Sequence, residues 1–213
     1  MSPALEPGQI RLVCARIDDV VRGALVLDAG ERARAAAITR ADDARAFVAA
    51  RTVLRRLLGH ELACDGESIE IVETASGKPR LAGVGDLEFN VSHGGELVVV
   101  ALARGRAVGV DVEPMIASRR RIDDISELSL GPRALEHLRS VPASERGAMF
   151  TRWWVRCEAV CKATGVGLIV PLEDDVPDGI HVEEISVGPG HAAAVAWSGG
   201  AATIEIEDQG AGS

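Results

Sequence analysis

No stretch of the sequence approaches the roughly 18 uncharged apolar residues that span a bilayer, which argues against a membrane-crossing helix. The opening segment, MSPALEPGQI, has neither the basic start nor the apolar centre of a secretory leader, so a soluble, cytoplasmic protein is expected. Cysteine is sparse. Cys14, Cys64, Cys157 and Cys161 form no zinc-type CxxC pair, and a chain of 213 residues needs no disulfide framework; free, mostly buried thiols are expected. Basic charge is in deficit, 23 Lys and Arg against 32 Asp and Glu for a net charge of -9, which argues against the basic face that non-specific nucleic-acid binding needs. Lysine occurs only at Lys78 and Lys162. In so arginine-rich a chain, each asks for a role that suits a compact ammonium able to release a proton.

What is present is enough for a core: 47% of the residues are hydrophobic and 26% charged. The length fits one large α/β domain or two lobes of about 100 residues. Between Thr39 and Gly59, TRADDARAFVAARTVLRRLLG reads as an amphipathic helix with Thr39 as its N-cap and Gly59 as its stop. The other face of that helix, with the segment before it, carries Arg32, Arg34, Arg40, Arg45, Arg51 and Arg55, the densest basic stretch of the chain. IEIVET (69–74) alternates as a half-buried strand, and the Gly/Pro-punctuated loop ASGKPR displays Lys78. LEFNVSH and ELVVVALA read as strands on either side of Gly94 and Gly95.

In AVGVDVEP, side chains repeat every two residues, so Val110 and Val112 take one face and Asp111 and Glu113 the other. Pro114 ends that strand. The polar excursion from Met115 to Arg139 reads as surface, and a long helix follows from an N-cap at Ser144 to a stop at Gly165, with Glu158 and Lys162 four apart on one face. HVEEISV, HAAAVAWS and AATIEIE read as three further strands closing a second lobe.

Asp111, Glu113 and Glu158 are hard oxygen ligands of the kind that hold magnesium and leave room for water and phosphate. Equally, Asp111 and Glu113 could solvate an edge strand while Glu158 pairs with Lys162 along its helix. His93 could face a phosphate or be a satisfied core histidine. No GxSxG elbow surrounds Ser92, so a hydrolase triad built on Ser92 and His93 has little support.

Taken in order, Gly77-Lys78-Pro79, Asn90-Val91-Ser92-His93, Gly109-Val110-Asp111-Val112-Glu113, and Trp154 through Glu158, Ala159 and Lys162 resemble the motifs of the 4'-phosphopantetheinyl transferases. The set spans most of the chain, and the length is similar to the two-lobed, surfactin-synthetase-activating (Sfp) type. The resemblance implies an α+β fold of two similar α/β lobes related by a pseudo-twofold, each a small antiparallel sheet with a long helix. Residues 1–106 would form the lobe on the coenzyme A nucleotide side, and residues 107–213 the lobe with the metal and carrier-protein side. It further implies magnesium held by Asp111, Glu113 and Glu158, with Glu158, Lys162 and Asp111 as the catalytic groups. Coenzyme A would be bound by Lys78, Pro79, Ser92 and His93, with Arg34, Arg45 and Arg51 toward the 3'-phosphate. The acceptor would be an apo acyl or peptidyl carrier protein, with Arg119, Arg120 and Arg121 as a docking patch, and the enzyme a monomer. One position departs from the pattern: Cys157 stands where the family usually has a lysine, and Arg156 beside it points about 100 degrees around the helix. That departure raises a degenerate coenzyme A binder as the alternative, with a metal-dependent phosphohydrolase behind it.

Overall fold

The computed structural model describes residues 4–74, 77–83, 85–116, 131–165 and 176–208, and the structural statements below are made of these. The chain runs β1 (Gln9–Arg16), α1 (Ile17–Arg22), α2 (Ala29–Ala37), α3 (Ala41–Leu62), β2 (Ile71–Glu73), β3 (Pro79–Leu81), β4 (Leu87–Gly94) and β5 (Leu97–Arg104). It continues with β6 (Val108–Pro114), α4 (Pro132–Ser140), α5 (Arg146–Thr164), β7 (Ile180–Ile185), β8 (His191–Ser198) and β9 (Thr203–Asp208). The class is α+β. One sheet has the order β4-β5-β1-β9, a second has β6-β8-β7, and β2 and β3 form a separate ribbon.

Burial explains the layering. On the first sheet, Val13, Ala15, Val98, Val100 and Leu102 point toward Ala49, Val53, Leu54 and Leu57 of α3. Its opposite face, with Ile10, Leu12, Cys14, Val99 and Ala101, meets Val108, Val110, Val112 and Val195 of the second sheet. The far face of the second sheet presents Ala192, Ala194 and Ala196 to Val155, Ala159 and Ala163 of α5. The order of layers is therefore helix, sheet, sheet, helix. Strands β1 and β5 are covered on both sides, which is why their apolar runs do not alternate.

Several local expectations change. Helix α3 starts from Arg40 with no side-chain cap and not from Thr39, and it runs past Gly59 to Leu62 before Ala63 turns left-handed. Gly59 is instead a point of close passage, because a Cβ there would stand 2.9 Å from the Cys64 carbonyl oxygen and 3.1 Å from the Gly66 nitrogen. Helix α2 was not anticipated; it opens with a capping box in which Asp28 accepts from the Glu31 N–H and Glu31 accepts from the Asp28 N–H. The last strand does not close the second lobe, because β9 crosses back and pairs in parallel with β1, Ile204 opposite Ile10 and Ile206 opposite Leu12. The crossover is pinned at Gly200, whose carbonyl accepts from Trp197 Nε1 at 3.1 Å and from Arg106 at 3.0 Å. Strand β9 thereby covers an edge of β1 that would otherwise lie open. Most of the polar excursion after Met115, including Arg119, Arg120 and Arg121, lies outside the described residues. Helix α5 starts at Arg146, after Glu145 and not Ser144, and ends at Gly165 as expected.

Candidate functional site

The two sheets meet along two edge strands, β4 of the first and β6 of the second. The alternation of β6 turns Gly109, Asp111 and Glu113 toward α5 and leaves its valines in the core. Gly109 is what lets the helix lie so close: a Cβ there would overlap the Ala159 carbonyl oxygen and the Ala163 nitrogen. The next turn of α5 then carries Lys162 over Asp111.

These residues form one cluster. The Lys162 ammonium lies 2.6 Å from Asp111 Oδ1, 3.1 Å from Ser92 Oγ and 3.2 Å from the Val110 carbonyl oxygen. Ser92 donates to Asp111 Oδ1 at 2.8 Å. Lys78 crosses from the loop before β3 to donate to the backbone carbonyl of Lys162 at 2.7 Å, so both lysines of the sequence converge here. Asp111 is 4% exposed, and its Oδ2 is buried without a hydrogen-bond partner. Such an atom is costly to leave bare.

Electrostatics set the protonation of the surrounding groups. Burial pushes the Glu158 carboxyl above the usual carboxylate range; Asp111 adds to the rise and Lys162 opposes it. Burial likewise lowers the Lys78 ammonium, with Glu88 opposing. His93 projects from the other face of β4 and is exposed by area, yet its ring is held below its ordinary value by partial desolvation and then by the Lys162 charge, against Asp43 and Asp111. Cys161 is raised by burial and by Glu158.

Of the expected magnesium ligands, Asp111 is close enough to Glu158 to help raise its carboxyl, and Glu113 follows on the same face of β6. Among the described residues no three His, Cys, Asp or Glu side chains are gathered into a set that would hold a metal ion, and Lys162 stands on one oxygen of Asp111. The three expected arginines divide. Arg34 and Arg51 both lie over the Phe47 ring, 5.2 and 5.6 Å from its centre, with Arg34 paired to Glu73 at 2.7 Å and Arg51 to Glu31 at 3.6 Å. Pro79 faces Glu73 across the β2–β3 ribbon, which brings it to the same side. Arg45 pairs with Asp18 toward α1. A concavity of about 830 Å³ lies elsewhere, lined by Cys14, Arg16, Asp19, Glu96 and His191 among others, and no residue of the cluster lines it.

Sequence reasoning passed over Asn90 as a site residue. Its buried side-chain oxygen accepts from the Val110 N–H at 2.9 Å, one residue before Asp111. The signal was present, because Asn90 lies two residues before Ser92 and so shares its face of β4. Cys157, at the departing position, packs beside the apolar cluster of Ala134, Leu138, Phe150 and Trp153 between α4 and α5.

Comparison with known proteins places these residues in two matched regions. Residues 18–104 match the family model described as 4'-phosphopantetheinyl transferase, N-terminal, and residues 107–209 match that of the 4'-phosphopantetheinyl transferase superfamily. The chain is 34% identical over 155 residues to the 4'-phosphopantetheinyl transferase HetI of Nostoc sp. strain PCC 7120, covering 71% of this chain and 64% of HetI. It is 31% identical over 153 residues to the human L-aminoadipate-semialdehyde dehydrogenase-phosphopantetheinyl transferase, covering 67% and 50%. It is 31% identical over 127 residues to the 4'-phosphopantetheinyl transferase psf-1 of Bacillus pumilus, covering 59% and 52%. The chain thus spans a little under two thirds of HetI and about half of the other two.

Proposed function

Because the chain belongs to the 4'-phosphopantetheinyl transferase superfamily, we propose that it transfers the 4'-phosphopantetheine arm of coenzyme A to a serine hydroxyl of an acyl or peptidyl carrier protein, releasing 3',5'-ADP. The observation that carries this reading is the cluster at the meeting of the two sheets, where Ser92, Asp111 and Lys162 from three different elements bond to one another. A phosphoryl transfer needs charge neutralised on both the attacking and the leaving side of phosphorus, and this cluster gathers one carboxylate and one ammonium beside a second, destabilised carboxylate.

The buried, unpartnered Oδ2 of Asp111 fits a divalent cation. Asp111, Glu158 and Glu113 are the residues that would hold magnesium, which when bound supplies positive charge to the pyrophosphate of coenzyme A. The chain's own groups do the rest. Glu158, whose carboxyl is raised by burial, is the proton acceptor for the attacking serine hydroxyl. Lys162 holds positive charge where the 3',5'-ADP departs. Lys78, Pro79, Ser92 and His93 bind the nucleotide and its phosphates, and Arg34 and Arg51, close together over Phe47, face the 3'-phosphate with Arg45 at the far side. The acceptor supplies the nucleophile, so this chain needs no catalytic serine.

The test is the intact mass of an apo carrier protein after incubation with this protein, coenzyme A and magnesium. A gain of one phosphopantetheine that EDTA prevents is the expected result; no gain on any of several carriers would overturn the reading. A second reading, a relative that binds coenzyme A without efficient transfer, is favoured by one observation: the position usually held by lysine is Cys157, turned to the apolar cluster between α4 and α5. A Cys157→Lys change that leaves an already substantial rate unaltered would dispose of it.

A further inference from the structure

Three contacts step along the facing edges of β4 and β6. Asn90 Oδ1 accepts from the Val110 N–H, Ser92 bonds Asp111, and Gly94 passes so near the Val112 carbonyl that a Cβ there would overlap it. The two strands belong to different sheets and each is an edge, so no backbone ladder between them fixes how far one slides along the other. The Ser92 contact ends on the carboxylate itself, and the Gly94 contact is only an allowance of space. Of the three, the Asn90 bond is the directional tie from β4 to the β6 backbone.

Val110, the residue before Asp111, is held at both of its backbone polar groups, since its carbonyl accepts from Lys162 at 3.2 Å while its N–H donates to Asn90 at 2.9 Å. Asn90 is 6% exposed and Val110 fully buried, so water cannot replace the bond. We propose that Asn90 is a positioning residue: by fixing the Val110 peptide it sets the register of β6 against β4 and so the distance between Asp111 and the Ser92–Lys162 pair. The role rests on the transferase reading above, because it concerns the geometry of that reaction's acidic centre.

Two variants separate this role from a general structural one. Asn90→Leu keeps the volume and removes the acceptor; Asn90→Asp keeps an acceptor oxygen at the same reach. With the wild-type chain transferring, N90L should lower kcat about 10- to 100-fold at a KM for coenzyme A changed by less than about twofold, the signature of a misplaced reacting group and not of lost substrate binding. N90D should recover most of the loss. Hydrogen exchange at the Val110 amide, read by NMR without any turnover, should quicken in N90L and stay slow in N90D, while the amides that pair β6 with β8 keep their protection. An unchanged Val110 exchange rate in N90L overturns the proposal whatever the activity, as does a kcat within twofold of wild type in a folded N90L. If the wild-type chain itself transfers nothing, the transferase reading falls and the catalytic part of this role falls with it; the exchange measurement still decides whether Asn90 holds the β6 register.

Discussion

His93 and Glu158 lose hydration at the same junction, and the loss moves them in opposite directions because each resists its own charged form. For His93 the consequence is a pH-dependent stability. With its folded pKa below the unfolded one, the native state binds fewer protons, so the stability present above about pH 6.5 declines as pH falls from there through the lowered folded value. His93→Gln should therefore gain on the wild type in thermal melting as pH falls below about 6.5 and differ little above it; parallel curves for the two proteins would show that His93 is not strained. Asp111 carries the opposite kind of expectation, in which function is lost and fold is kept. Asp111→Asn preserves the shape against Ser92 but removes the negative charge that Lys162 faces at 2.6 Å. Transfer followed by intact mass should fall at least about 100-fold, with circular dichroism unchanged; retained transfer would remove Asp111 from the reaction.

Helix α5 against strand β6 is the pairing that builds the site, and its tolerance is set at Gly109. A methyl group there would overlap backbone atoms of Ala159 and Ala163, and backbone in a helix cannot yield as a side-chain end can. Gly109→Ala should cost more than about 3 kcal/mol in urea unfolding, beyond the usual range for overpacking, and should abolish transfer with it. A fully folded and active G109A would mean that α5 can ride up from the sheet. A second tie of this kind is Arg55 of α3, fully buried, which bonds Asp28 and Glu31 at the start of α2 and the carbonyls of Gly66 and Ile69. Removing it in Arg55→Met leaves Glu31 buried without its main partner, and a loss of about 3–5 kcal/mol in the same measurement is expected.

How far these elements were legible follows from their burial. The Asp111–Glu113 face could be read because β6 is covered differently on its two sides, which leaves a period of two in the sequence. Strand β1 could not, because it is covered on both, and its one charged interior residue, Arg11, is 1% exposed and paired with the equally buried Glu61. Helix α2 hid behind a run of alanines and arginines with no apolar stripe, although Asp28 and Glu31 carried the capping signal. Sequence left Lys162 either pairing with Glu158 along one helix or acting beside Asp111, and its ammonium bonds across to Asp111 and Ser92; an i,i+4 spacing is visible in sequence and a contact from a helix to strands of two sheets is not.

The path of β9 was the least legible feature, and it bears on whether the two lobes are separate folding units. Strand β9 leaves the second sheet to pair with β1 of the first, and its Glu207 lies 3.5 Å from Arg11. Arg11 in turn meets Glu61 at the end of α3, which also accepts from the Leu5 N–H at 3.0 Å. Each sheet packs one face on a helix of its own lobe, but the two also share an apolar layer that loss of either lobe would expose, so a single unfolding transition is expected despite the length. The chain supplies the probes. Trp153, Trp154 and Trp197 all follow residue 107, so fluorescence reports the second lobe, while far-ultraviolet circular dichroism takes a large contribution from α3 in the first. The two urea curves should coincide. Ending the chain after Ala201 should lower both midpoints together, with a stability loss of at least about 2 kcal/mol, because β1 then presents an unpaired edge and Ile10 and Leu12 lose their β9 neighbours. Curves that separate, in the full chain or in the shortened one, would show that the lobes unfold independently and that β9 is an addition to the first sheet and not the strand that joins the two.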